Sequence, residues 1–529
     1  KGALKMKILF RRGIIAFVTA MILSNAVTSY SFDNELSHRA LTERAIEASQ
    51  LTGYVKNYIG FDEGVSYSIN GNSISWWLKE GSYLEDTPMC RASNHFHNPH
   101  LLWDQSFMTD SPWWINLYCS SWSRYSNITW ATGYTSRDGV SESRNGQVMG
   151  WDNARAYFYQ ALTATGAVDR ESNFVKTFRS VGQVLHLLED MAVPAHVRND
   201  FKSHLSFNGV NSMNPTKWFG NPFEYYVQVN PGLIARITPE IIASEIPVFE
   251  GGRLTDFWDT NQNGSIPGLA EFTNANYFSD ETIPNNKPSA EHAFPLPQIN
   301  VDHANQFICV DNLAGSSRPT KYVSRKACPQ NGEAVDHFAA LSLINSEAEA
   351  SISNPQIKEV WLDNNVHETY ANEILPKAVG YSAAILDYFF RGKINVSSTP
   401  DDISFRSVKI MAQNDTPGEN LGTGEATLVI RYKPLAETAL RGNKYLLGYP
   451  TEGTSPSDYI YKVSNPQNID LSNPVELTFD FSNDPLPHFF SDMTMQLVFK
   501  GQLGNEAGSV AVSKLEPIEG IATDFHISL

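Results

Sequence analysis

Residues 182–200 read GQVLHLLEDMAVPAHVRND, and the helix implied by this stretch organises the chain on either side of it. Upstream, Phe174, Phe178, Val181, Leu185 and Leu188 recur at alternating steps of four and three residues, the apolar stripe of a helix packed into a core. His186 and Asp190 stand one turn apart and share a neighbouring face of that helix. Gly182, one turn before His186, leaves that face without a side chain to fill the space beside it. Pro194 should end or break the helix, so that His196 follows at a bend and can turn back toward His186 and Asp190. One short segment thus offers two imidazoles and a carboxylate, ligand types that zinc accepts beside thiolate. The plainer reading is a helix-surface ion pair between His186 and Asp190, with His196 an ordinary loop residue.

The full string H-x3-D-x3-P-x-H decides between the two, because it resembles the central motif of the zinc-dependent phospholipase C and single-strand-specific nuclease superfamily. The resemblance covers roughly residues 32–227. It implies a helical domain in which Asp86, His95, His186 and Asp190 hold one zinc ion. Asp190 would bridge to a second ion held by His38 and the amine of the processed chain. His196, Glu224 and His204 would hold a third. It also implies that Asp86 orients or deprotonates the attacking water. Glu85 is an alternative to Asp86, and His97 and His100 are alternatives to His95. The family's terminal Trp is absent; Tyr30 or Phe32 would serve. The family's H-x3-E pair is broken too: Gly220 stands four residues before Glu224, and His204 would replace the missing imidazole from a loop.

The compartment fits an exported protein. Lys5, Lys7, Arg11 and Arg12 precede an apolar run from Gly13 to Leu23, short for a membrane span and shaped like a secretory leader. Small residues at Val27 and Ser29 suit a cut before Tyr30, Ala26 or Ser31 could also mark it, and an uncleaved anchor is the alternative. The four cysteines, Cys90, Cys119, Cys309 and Cys328, allow three pairings; proximity favours a disulfide within each successive pair. A secreted or periplasmic location follows. The net charge of −17 argues against a general nucleic-acid binder, although a bound metal cluster would supply its own positive charge.

The expected division is a leader over 1–29, a helical zinc hydrolase domain with loop insertions over 30–394, and an antiparallel β-sandwich over 395–529. Helices are expected over Phe32–Gln50, Trp151–Leu162, Val335–Ser351 and Ile357–Arg391, the last broken at Pro376. The stretch DTNQNGS from Asp259 resembles half of a calcium loop through Asp259, Asn261, Asn263 and Gly264, but its closing acid, Glu271, falls one position late. A plain turn is the simpler reading. After residue 395, Val475, Leu477, Phe479 and Phe481 alternate, as do Met495, Leu497 and Phe499. Some phospholipases C of the family carry a β-sandwich that aids membrane contact. The expected function is therefore a secreted, zinc-dependent phosphodiester hydrolase acting on phospholipid. The alternatives are a nuclease or nucleotidase, and a non-catalytic surface-binding protein that keeps the metal scaffold.

Overall fold

The computed structural model describes residues 34–111, 113–119, 121–206, 220–249, 252–261, 266–283, 310–313, 322–325, 335–341, 360–434, 459–487 and 490–518. The expected leader, the terminal amine, Cys309, Cys328, Asn263 and Gly264 lie outside these residues.

The helical part is built around α4 (Ala167–Glu189), with α1 (Arg39–Ala48), α2 (Ile74–Leu84), α3 (Trp151–Thr163), α5 (Pro222–Val229) and α6 (Asn364–Phe389) as its principal companions. The C-terminal half of α4 is buried on every side: Val181, Val184, Leu185, Leu187 and Leu188 are wholly inaccessible. A helix buried all round must have apolar residues off its stripe as well, which Val184 and Leu187 supply.

The crossing of α2 over α4 sets the geometry of everything near His186. A Cβ on Gly182 would lie 2.1 Å from the Leu78 carbonyl oxygen, and one on Gly81 would lie 2.2 Å from the Arg179 carbonyl oxygen. Main chain meets main chain there, and only glycine permits it. The gap expected beside His186 is therefore filled by the backbone of α2. As anticipated, the helix does not run through Pro194: it closes in a 3₁₀ turn (Asp190–Ala192), and Pro194 opens a fresh turn, Pro194–Val197.

Two helical expectations need correction. Val335–Leu341 is a strand, paired antiparallel with Tyr322–Arg325 and with Val360–Trp361. Its Val335, Phe338, Ala339 and Ala340 are fully buried, and Tyr370 of α6 donates its hydroxyl to the Phe338 carbonyl. Tertiary burial outweighed the helical pattern. Residues 342–351 lie outside the description. The last helix begins at Asn364 behind an Asp363 cap that accepts from the Asn365 and Val366 amides, and it runs through Pro376 without a break. Ile374, Leu375, Ala378 and Val379, packed on both sides of the proline at 0–1% exposure, hold it in line.

The C-terminal region is a curled sheet. Its strands are β1 (Gly392–Ser397), β2 (Ser407–Asn414), β3 (Leu421–Pro434), β4 (Ile460–Val463), β5 (Gln467–Asp470), β6 (Val475–Asp480), β7 (Phe490–Leu503), β8 (Glu506–Ser513) and β9 (Glu516–Pro517). The order is β4-β3-β7-β8-β1-β2-β6, with β5 also on β3 and β9 on β7. Helical region followed by β region is the fold class anticipated from sequence. The refinement is that β1 and β8 run parallel, so the sheet is mixed. Alternation works as strand geometry requires. Leu477, Phe479, Met495, Leu497 and Phe499 face the sheet's own core, while Val429, Val498, Val510 and Val512 face the helices.

At the seam, buried Glu506 accepts from Trp151 Nε1 (2.5 Å), Arg155 Nη1 (2.7 Å) and Arg391 Nη2 (3.1 Å). No helix among the described residues is long and apolar enough to cross a membrane.

Candidate metal centre

Eight residues were expected to hold metal, and the structure brings all eight side chains into one buried constellation. They form three groups, each with donor atoms within 4.8 Å of one another: His38, His186 and Asp190; Asp86, His95 and His186; His196, His204 and Glu224. These groups could hold metal ions. Asp190 lies at the centre. Its Oδ2 faces His95 Nδ1 (2.9 Å) and His186 Nε2 (3.4 Å), and its Oδ1 faces His196 Nδ1 (3.5 Å) and His38 Nε2 (3.6 Å). Asp86 closes the second group, with Oδ1 3.3 Å from His95 Nδ1 and Oδ2 3.7 Å from His186 Nε2.

Whether a cation suits this place can be tested on the hydrogen bonds that point away from it. His186 Nδ1 donates to the Ser82 carbonyl (2.7 Å), the group delivered by the glycine crossing. A carbonyl only accepts, so Nδ1 carries the proton and the neutral ring presents a lone pair at Nε2, toward two carboxylates. His204 Nδ1 likewise donates to the Asp200 carbonyl (3.3 Å), which turns Nε2 toward His196 Nε2 (3.0 Å) and Glu224 Oε2 (3.7 Å). His38 Nδ1 meets Glu189 Oε2 at 2.6 Å, while Thr42 donates its hydroxyl to Glu189 Oε1. Lone pairs and carboxylates converging at such distances repel unless a proton or a cation lies between them. The donor set, imidazole and carboxylate with carbonyls that fix the tautomers of His186 and His204, suits a metal cation.

The electrostatics separate two kinds of group. Burial drives His38 and His95 well below the usual imidazole range, neighbouring histidines adding to the effect, and it takes His186 down to about 3 despite Asp190. These rings stay neutral, as metal ligands must. In the third group the partner wins. Burial raises the Glu224 carboxyl, but His204 and His196 outweigh it and hold it at about 2. Burial lowers His204, yet Glu224 outweighs that and the net shift is upward.

Local chain geometry brings His204 to Glu224. Asn221 caps α5 by accepting from the Glu224 amide (3.2 Å), and its Nδ2 donates to Ser203 Oγ (2.9 Å). The cap of the helix that carries Glu224 is thereby tied to the turn that carries His204. The Gly220 amide donates to the Ser206 carbonyl and closes the excursion between them.

The alternatives are taken up by other partners, although Glu85 Oε1 still lies 3.9 Å from His95 Nε2. Glu85 is bound by Arg91 (2.5 Å) and by Trp130 Nε1 (2.8 Å). His97 meets Asp259 Oδ2 (3.0 Å), and His100 meets Asn274 Oδ1 (2.9 Å). Asp259 also accepts from Trp103 Nε1 and from the Asn261 amide, an Asx turn, and Glu271 accepts from Thr260 and Gly268. Cys90 and Cys119 are joined in a disulfide.

Sequence reasoning missed the supporting residues: Glu189, Thr42, Ser82, Asp200 and Asn221. Glu189 carried a signal, being a second acid beside Asp190 on a helix otherwise too apolar to face water. Ser82 acts through its carbonyl, which no side-chain pattern reveals.

No protein-family model matches the chain, and no curated protein matches it. Among solved structures, the alpha toxin from Clostridium absonum is similar at 11% identity and a TM-score of 0.29, over 93% of this chain and 96% of that one. The alpha-toxin of Clostridium perfringens isolated from avian strain SWCP is similar at 11% identity and a TM-score of 0.21, over 92% and 99%. Likeness of this size carries no argument about this chain.

Proposed function

We propose that the protein is an exported, zinc-dependent phosphodiester hydrolase that acts on phospholipid in the manner of a phospholipase C. The observation that carries this reading is the position of Asp190, whose two oxygens face histidines of all three groups. A shared carboxylate is what a multinuclear centre needs to keep its ions close enough to act on one phosphodiester. Zinc bound there would make hydroxide available near neutral pH and offset charge on the phosphoryl oxygens.

The chain's own residues have separate tasks in this reading. Asp86, wholly buried with its oxygens toward His95 and His186, orients the attacking water and accepts its proton. Ser82 O, Glu189 and Asp200 O hold the rings of His186, His38 and His204 in the tautomer that presents a lone pair inward. The third group is the most exposed of the three, 3% at His204 and Glu224, and is the side from which a leaving group would reach solvent. Export is supported by the disulfide and by the leader-like amino terminus. The division into a leader to residue 29, a hydrolase domain to 394 and an accessory β domain is part of the proposal.

The deciding experiment incubates zinc-loaded, processed protein with phosphatidylcholine and, separately, with single-stranded DNA and RNA, using His186→Ala as the blank. Zinc-dependent release of diacylglycerol is expected. Cleavage of nucleic acid with phospholipid untouched would install the nuclease reading. Bound zinc with no turnover of either would install the binding-protein reading.

A further inference from the structure

Glu85 and Asp86 are consecutive acids at the C-terminal end of α2, both wholly buried, and they flank a single ring. Asp86 Oδ1 lies 3.3 Å from His95 Nδ1, and Glu85 Oε1 lies 3.9 Å from His95 Nε2. His95 Nδ1 also faces Asp190 Oδ2 at 2.9 Å, so this nitrogen points into the centre and Nε2 points out of it. The orientation is the reverse of that in His38, His186 and His204, whose Nε2 atoms point inward.

A neutral imidazole carries one ring proton, and the nitrogen that offers its lone pair cannot hold it. With Nδ1 facing the ligand groups, the proton belongs on Nε2, and a buried N–H there requires an acceptor. Among the described residues, His95 Nε2 makes no hydrogen bond. The Glu85 carboxylate stands on that side of the ring. A movement of about 1 Å brings the pair to hydrogen-bond length.

Glu85 is itself held firmly. Its Oε2 accepts from Arg91 Nη2 (2.5 Å), its Oε1 from Trp130 Nε1 (2.8 Å), and its main-chain carbonyl from Arg91 Nε (2.7 Å). Arg91 Nη2 also donates to Gln147 Oε1 (3.3 Å) and to Gln183 Oε1 (3.0 Å), the latter on α4 close to one turn before His186. Glu85 belongs to none of the three donor groups. Its Oε1 gives one lone pair to the indole and keeps another for His95. An ion pair with Arg91 alone would account for the two buried charges, but it would leave the His95 N–H unmatched.

We propose that Glu85 is the positioning residue for His95. Anchored by Arg91, its carboxylate accepts the Nε2 proton and so presents Nδ1 to the metal. The inference rests on the reading of this constellation as a metal centre. Its readouts are metal binding and the place of a ring proton, so a failure to hydrolyse phospholipid counts against the proposed substrate and not against Glu85.

The test begins with histidine-selective ¹⁵N labelling of the full, zinc-replete protein, which locates the ring protons by NMR. His95 should carry its proton on Nε2, and His186 on Nδ1. A His95 proton on Nδ1 would overturn the proposal in the wild-type chain, whether or not any variant folds. Glu85→Gln should weaken one ion about 10–100-fold in competition with a chelator, shift the His95 Nε2–H resonance, and leave the third group's ion bound. Phe158→Leu is the control: a core change in α3 against Phe389 and Phe390, it should lower the melting temperature at unchanged metal affinity. An equal loss of affinity in Phe158→Leu, at a similar fall in melting temperature, would reduce Glu85 to a structural role. Outright loss of the ion in Glu85→Gln would make Glu85 a ligand. Unchanged affinity with an unmoved resonance would leave it the partner of Arg91 alone. Each of these three outcomes overturns the proposal.

Discussion

The metal constellation is assembled in two ways, and the contrast is instructive. The His186 side is made by helices whose backbones touch at Gly81 and Gly182, with rings that burial keeps neutral. The His204 side is made by a turn and a helix cap, joined through Asn221, where charge attraction between His204 and Glu224 wins over burial. One side is built by packing, the other by polar ties.

The comparison breaks most completely at the glycine crossing. Gly182→Leu would drive a side chain into the α2 main chain, which has nowhere to move, and overpacking of this kind costs roughly 1–3 kcal/mol or more. Thermal unfolding should shift down by many degrees and every bound metal should be lost together. Retained metal at the wild-type melting temperature would show that the crossing does not set the site.

Single-ligand substitutions sharpen the contrast. His186→Ala touches two of the three groups and should abolish activity and remove more than one ion, whereas His204→Ala should remove one ion and leave the others bound. Metal analysis of both variants checks this; equal losses would erase the distinction between the two sides.

Acid should separate them too. His204 has a raised pKa, so protons compete for it at higher pH than for His38, His95 or His186, whose values are depressed. As pH falls, the third ion should leave first. For the depressed histidines the sign for stability is also fixed. The unfolded chain binds their protons near pH 6.5, so their contribution is present above that value and is lost as pH falls toward about 3, the folded value for His186. A metal titration followed from pH 8 downward, in which all ions leave together, would refute the order.

Smaller effects are expected behind the ligands. Glu189→Gln keeps the shape but removes the carboxylate that orients His38, and metal affinity should fall about 10–100-fold, read by competition with a chelator. Asn221→Ala should cost about 1 kcal/mol of stability through the lost cap, with a modest fall in third-ion affinity. Loss of the cap without any change at the third ion would show that His204 and Glu224 are held by something else.

The same contrast decides what the sequence could disclose. His186, Asp190 and His196 were legible because helical periodicity and one proline fix their relative placement. Asp86 and His95 were preferred over Glu85, His97 and His100 by resemblance alone, since the alternatives are engaged by Arg91, six residues from Glu85, and by Asp259 and Asn274, far along the chain. The tie between Ser203 and Asn221 is a side-chain contact across a long excursion and has no periodic signature. The β region announced itself by alternation, but the parallel pairing of β1 with β8 did not, because pairing partners are chosen by the whole sheet. Val335–Leu341 was misjudged for a related reason: its short apolar pattern fits either structure, and neighbouring strands made the choice.

Glu506 bears on how this chain could be dissected. Trp151, Arg155 and Arg391 belong to the helical side of the seam, yet their shared acceptor comes from the sheet, far along the chain. A truncation just after Arg391 would leave the Arg155 and Arg391 guanidinium groups and the Trp151 indole N–H without their shared anion. The helical half expressed alone would be a weakened protein rather than a minimal enzyme, and the two halves should melt in a single transition.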